Sequence, residues 1–182
     1  MIKDFVYFFG GVVLLFFMLN SYQQIKGDVV YVKAKSGRTF LVRNIKTQDK
    51  IKELAADILD KVLNNLLLIK KEFETNNKYI KHPAIKRLKN NFKASSITES
   101  LPESEYTSYS LNKGEKIAMC IRNKKNNQFI DSNTIMFVAI HELAHVMTES
   151  IGHKKDFWDN MTILLCEAKK IGAYELKDYS TS

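Results

Sequence analysis

Apolar residues recur between Asp49 and about Phe73 at Ile51, Leu54, Ala55, Ile58, Leu59, Val62, Leu66 and Ile69. This is the i, i+3, i+4 spacing that lays one side of an α-helix against a core, and it predicts a long amphipathic helix. Upstream, Val29 to Ala34 and Thr39 to Arg43 alternate around Lys35-Ser36-Gly37-Arg38 and predict a β-hairpin. Pro83 suits the first turn of a short helix running to about Phe92. Residues 94 to 106 are polar, contain Pro102 and read as a flexible loop. Tyr106 to Leu111 and Lys116 to Arg122 then predict a second hairpin across Asn112-Lys113-Gly114. An apolar run from Thr134 to Ile140 predicts a buried helix with Asp131 or Ser132 as N-cap. Gly152 is a stop signal after it. Another helix begins near Lys154, with Phe157, Trp158, Met161, Leu164, Leu165 and Ala168 at helical spacing.

One apolar stretch is not amphipathic. Phe5 to Leu19 holds fifteen residues without a charge. Extended to Tyr22 as a helix it would reach about 27 Å, just short of a ~30 Å hydrocarbon core. Tyr22 would then sit at the interface. A cleaved signal peptide competes, although Leu19-Asn20-Ser21 offers no small-x-small cleavage site and Asp4 weakens the basic n-region. The expectation is a membrane anchor and juxtamembrane segment over residues 1–26, spanning at residues 5–22, and a single domain over residues 27–182. Lys26, Lys33, Lys35 and Arg38 follow the segment, so the positive-inside rule places that domain in the cytosol.

At 182 residues the chain is long enough for one domain with a real core but not comfortably for two. The net charge of +8 is concentrated at Lys78, Lys81, Lys86, Arg87, Lys89 and Lys93, with no acidic residue between Thr75 and Thr98. Such a surface attracts nucleic-acid phosphates or anionic lipid. Yet basic residues here are 24 lysines against four arginines, and bidentate phosphate contacts favour arginine. A solvated basic face is the plainer reading, with nucleic acid as the alternative; His82 within it reads as a surface histidine. Cys120 and Cys166 have apolar neighbours and read as buried thiols, a disulfide between them being the alternative.

The chemistry-bearing feature is His141-Glu142-Leu143-Ala144-His145, followed by His153. Residues i and i+4 share a helix face, so two imidazoles can converge on one ion. Glu142 is rotated by about 100° from His141, which lets its carboxylate reach a water on the metal rather than the metal. The bland alternative is two surface histidines on a helix and a third in a loop. Two third ligands compete. His153 follows His145 by eight positions and sits beside the helix-stopping Gly152; Glu167, on the next helix, would give a two-histidine, one-glutamate set. His153 is preferred because nothing else explains the Gly-His pair. Glu149 reads as a solvated helix-end residue. Tyr174 is a candidate oxyanion donor or, more plainly, a packed residue after the helix that Gly172 closes.

Thr134 to Trp158, TIMFVAIHELAHVMTESIGHKKDFW, resembles the WLM and SprT-like (Spartan-type) zinc metalloproteases. It is most similar to compact WLM-like proteins of large DNA viruses, where a stretch like KGEKIAMCIR precedes the ligand helix and one like KIGAYELKDY follows it. The resemblance covers about residues 113 to 179. It implies an α+β, zincin-like fold, Zn2+ held by His141, His145 and His153, and Glu142 as general base. It also implies that a strand just before the ligand helix borders the cleft. Ile117 to Ile121 is in that sequence position, either bordering the cleft or as an interior strand. The expected function is a membrane-anchored zinc metallopeptidase acting on proteins or peptides. Two alternatives accompany it: a Spartan-type protease acting on proteins bound to DNA, and a non-catalytic zinc-containing membrane (virion) protein. An intact Glu142 argues against the last, since a structural site has no use for a base.

Overall fold

A computed structural model describes residues 27–177 except Thr47 and Ile80, together with Tyr7 and Gly11. The Phe5 to Leu19 segment otherwise lies outside the described residues, as does the juxtamembrane stretch up to Lys26. Among the described residues no helix is long and apolar enough to cross a membrane.

The chain opens with an antiparallel hairpin, β1 (Val29–Lys33) and β2 (Thr39–Arg43), in which Tyr31 faces Leu41. Helix α1 (Asp49–Thr75) follows, then α2 (Pro83–Asn91). Three short strands come next: β3 (Ile97–Glu99), β4 (Tyr109–Leu111) and β5 (Lys116–Met119). Two helices, α3 (Ser132–Met147) and α4 (Lys155–Lys170), complete the described fold. It is a mixed α+β fold.

The predicted helix α1 forms, but its buried stripe is shifted. Ala55, Leu59, Val62, Leu63, Leu66, Ile69 and Phe73 are buried, whereas Leu54 is 47% exposed. At about 100° per residue Leu54 lies one step before Ala55, beyond the edge of that stripe, while Leu63 falls inside it.

β5 lies in the middle of a three-stranded sheet, parallel to β3 and antiparallel to β4. Ile117, Ala118, Met119 and Ile121 are all buried. Of the two readings left open for Ile117 to Ile121, the interior strand is therefore the one found, and β4 is an edge. The loop expected over residues 94 to 106 is also partly wrong. Its first half forms a turn of 3-10 helix at Ala94–Ser96 and then β3.

β3 is held by charge as much as by its ladder. The Glu99 carboxylate is buried and accepts two bonds from Arg122, at 2.7 Å from Nε and 2.6 Å from Nη2. It also accepts the backbone N–H of Arg43 at 2.8 Å, which joins β2 to β3. Burying these charges is tolerable only because each meets the other with good geometry.

Candidate metal centre

Helix α3 begins as expected, with the Asp131 carboxylate accepting the Thr134 N–H at 2.9 Å. Its first turns bury Ile135, Met136, Ala139 and Ile140, and this fixes the rotation of the histidine face. The helix ends at Met147, and that end and the loop after it are tied to other elements. Arg87 Nε of α2 donates to Met147 O at 2.8 Å. Asn160 of α4 donates to Thr148 Oγ1 at 2.9 Å, and Ser150 Oγ donates to Asp156 at 2.7 Å. Gly152 adopts φ +79°, a left-handed turn that a side chain would resist, and sends His153 back towards the helix.

The result is a triangle of imidazoles. His153 Nε2 lies 3.0 Å from His141 Nε2 and 3.2 Å from His145 Nε2, and the last two are 3.2 Å apart. An imidazole nitrogen either donates or accepts, so three of them cannot all satisfy one another. One cation at the centre removes that conflict. A tetrahedral zinc with Zn–N bonds of about 2.0–2.1 Å requires donor edges of roughly 3.3–3.4 Å, close to what is found. Burial, with the neighbouring His141 and His153 and then Lys113, holds His145 down to about 4. Burial followed by His153 lowers His141 from its ordinary value. Neutral imidazole is the metal-binding form.

Phe157, fully buried in the first turn of α4, packs under all three rings at centroid distances of 4.9, 4.5 and 4.6 Å from His141, His145 and His153. Trp158 is 53% exposed and lies 5.9 Å from His153. The aromatic pair at this position thus has two duties, a floor and a flank.

Glu142 is 5% exposed and lines the same cleft, of about 490 Å3, as the histidines. Burial pushes its carboxyl up to about 7, partly offset by a hydrogen bond from the Ser110 backbone. Tyr106, Ser108, Tyr109, Ser110 and Lys113 line the opposite wall, so the edge strand β4 borders the cleft. Sequence reasoning missed Ser110 and Lys113, which read only as a strand and a turn residue.

Glu167 is not brought to the triangle. It is buried, accepts the Tyr79 hydroxyl at 3.2 Å and pairs with Lys170. Tyr174 is buried against Phe137, 6.0 Å between ring centroids, and lines a different cavity with Ile58, Met136 and Gly172, so it is a packing residue rather than an oxyanion donor. Glu149 is exposed and pairs with Arg87 at 3.2 Å. Both cysteines are free, and Cys166 is exposed, against the expectation of a buried thiol. Lys78, Lys81, Lys86, Lys89, Lys93 and His82 are exposed, but Arg87 turns inward to α3 and leaves the basic face.

Over residues 80–181 the chain matches the family model described as the WLM domain. It is 31% identical over 172 residues to an uncharacterised protein of Acanthamoeba polyphaga mimivirus, spanning 93% of this chain and 84% of that protein. Another uncharacterised protein, from Invertebrate iridescent virus 3, is 43% identical over 68 residues, covering 37% of this chain and 42% of that protein. The fold resembles the crystal structure of Wss1 from Saccharomyces cerevisiae with a TM-score of 0.50 at 21% identity, over 66% of this chain and 84% of that one. At that identity the likeness is one of fold.

Proposed function

Because the chain belongs to the WLM domain family, we propose that it is a zinc-dependent metallopeptidase, with His141, His145 and His153 as ligands and Glu142 as general base. The observation that carries this reading is the triangle of Nε2 atoms at 3.0–3.2 Å beside the buried Glu142 carboxylate, which makes no salt bridge among the described residues. Zinc, when bound, supplies Lewis acidity, which polarises a peptide carbonyl and makes a water acidic near neutral pH.

The chain's own residues do the rest. Glu142 follows His141 on the helix, so its carboxylate faces the cleft rather than the centre of the triangle. It is placed to take a proton from the attacking water and to pass one to the leaving amine. Ser110 of β4 lines the cleft beside that carboxylate, and its backbone favours the ionised form against burial. An edge strand offers its free side to an extended chain, so a peptide lying along β4 would run beside the histidines. Tyr106 and Ile151, 65% and 85% exposed, rim the same cleft and give it apolar surface for substrate side chains.

We further propose that residues 5–22 anchor the protein in a membrane with the catalytic domain on the cytosolic side. The uncharged run Phe5 to Leu19 and the lysines after it support this. A second reading of the substrate, proteins bound to nucleic acid, is favoured by one observation. Lys81, Lys86 and Lys89 line a groove of about 720 Å3 on and beside α2.

Metal analysis of the purified protein and its variants tests the ligand set. The wild type should hold close to one zinc per chain, and His141→Ala or His145→Ala should lose it. His153→Ala should weaken it strongly, whereas Glu167→Ala should leave it nearly intact. Loss of metal in Glu167→Ala with retention in His153→Ala would overturn the assignment.

A further inference from the structure

We propose that Lys113 is a positioning residue for the third metal ligand: from the β4–β5 turn it fixes the loop that returns His153 to the other two histidines. This rests on the metal-site reading above. The Lys113 ammonium donates to Thr148 O and to Ser150 O, both at 2.8 Å. These carbonyls lie just past the end of α3, where no helical N–H remains to meet them and where the helix dipole favours a cation.

The turn that carries Lys113 is itself rigid. Asn112, Lys113 and Gly114 have φ of 46°, 56° and 110°, and the Gly114 and Glu115 N–H groups both bond to Leu111 O at 3.1 Å. A Cβ on Gly114 would lie 3.0 Å from Val146 of α3 and 3.1 Å from Asn91 O, so the turn is pressed directly against the ligand helix. Lys113 therefore reaches across from a fixed base.

Past its carbonyl contacts the loop is loosely held. Ile151 is 85% exposed, and a Cβ on Gly152 would meet nothing within 4 Å. Ser150 is thus the last tethered residue before His153, and Lys113 holds its carbonyl. The location carries an electrostatic cost. Lys113 lines the same cleft as the three imidazoles, and an ammonium there repels a divalent cation. Charge alone makes Lys113 unfavourable for metal binding; the geometry it imposes makes it favourable. The two effects have opposite signs, so one measurement separates them.

The experiment measures zinc affinity of the full-length protein by competition with a chromophoric chelator. The variants are Lys113→Met, Lys113→Arg, His153→Ala and the Lys113→Met/His153→Ala pair. Lys113→Met should weaken zinc about 10-fold or more, the usual cost of losing a group that orients a ligand. Lys113→Arg, which keeps charge and donors, should restore most of the affinity. With His153 already removed, Lys113→Met should cost little more, because the loop no longer carries a ligand. Unchanged or tighter zinc binding in Lys113→Met overturns the proposal, as does an equal loss in both backgrounds. Should Lys113→Met lose its helical circular dichroism, Lys113→Gln, which can still meet one carbonyl, carries the same test of sign. A wild type that binds no zinc would instead overturn the metal reading itself.

Discussion

The rings of Phe157 and His145 pack with centroids 4.5 Å apart, and the same phenyl supports His141 and His153. One buried side chain on α4 thereby orients the proposed ligands from both α3 and the loop between the helices. Hydrogen-bonded partners usually set the rotation of metal-binding imidazoles; here an apolar floor shares that task. Phe157→Ala should cost about 3–5 kcal/mol of stability, the range for emptying a buried phenylalanine site. It should also weaken zinc, since all three rings lose their support. Chemical denaturation of the metal-free protein and a zinc titration check the two effects separately. Phe157→Leu, which keeps most of the volume, should fall between them.

Glu142 gives the metal-free protein a defined pH dependence. Burial raises its carboxyl from 4.5 to about 7, so the folded state favours the protonated form. The stability this contributes is fully present below about pH 4.5 and is lost as pH rises through about 7. Glu142→Gln removes the penalty of ionising a buried group. Stripped of metal, the variant should match the wild type near pH 4.5 and exceed it near pH 8, by roughly 1–3 kcal/mol. Denaturation curves at the two pH values measure the difference. A constant offset would show that Glu142 is not ionising against burial.

The proposed anchor predicts a membrane-bound protein. Full-length protein should resist alkaline carbonate extraction and keep its N-terminal residues, whereas deleting residues 1–22 should release a soluble, zinc-containing domain. In oriented vesicles a C-terminal tag should be open to protease from the cytosolic side. A mature N-terminus beginning near Tyr22, or protection of that tag, would show that the segment directs export instead.

The parts of the site legible in the sequence are those built by local spacing. His141 and His145 lie one turn apart, the apolar run before them fixes which way they face, and Asp131 caps the helix as its side chain suggests. Gly152 marks the loop that returns His153. What was not legible depends on distant partners. β3 is three residues long, too short for an alternating pattern, and its Glu99 reads as solvent-exposed until Arg43 and Arg122, 56 and 23 positions away, close over it. A hairpin has two free edges, and only the arrival of β3 beside β5 decides that β4 faces the cleft. Lys113 looks like an ordinary turn residue because its two acceptors lie 35 and 37 positions on.

Peptide hydrolysis by zinc-loaded wild type and Glu142→Gln tests the central claim most directly. The substitution keeps the shape of the side chain and removes its ability to take a proton. Both proteins should bind close to one zinc per chain and fold alike, while hydrolysis of an unstructured protein substrate should fall by about 100-fold or more in Glu142→Gln. Equal rates for the two proteins, at equal zinc content, would contradict the assignment of Glu142 as the base.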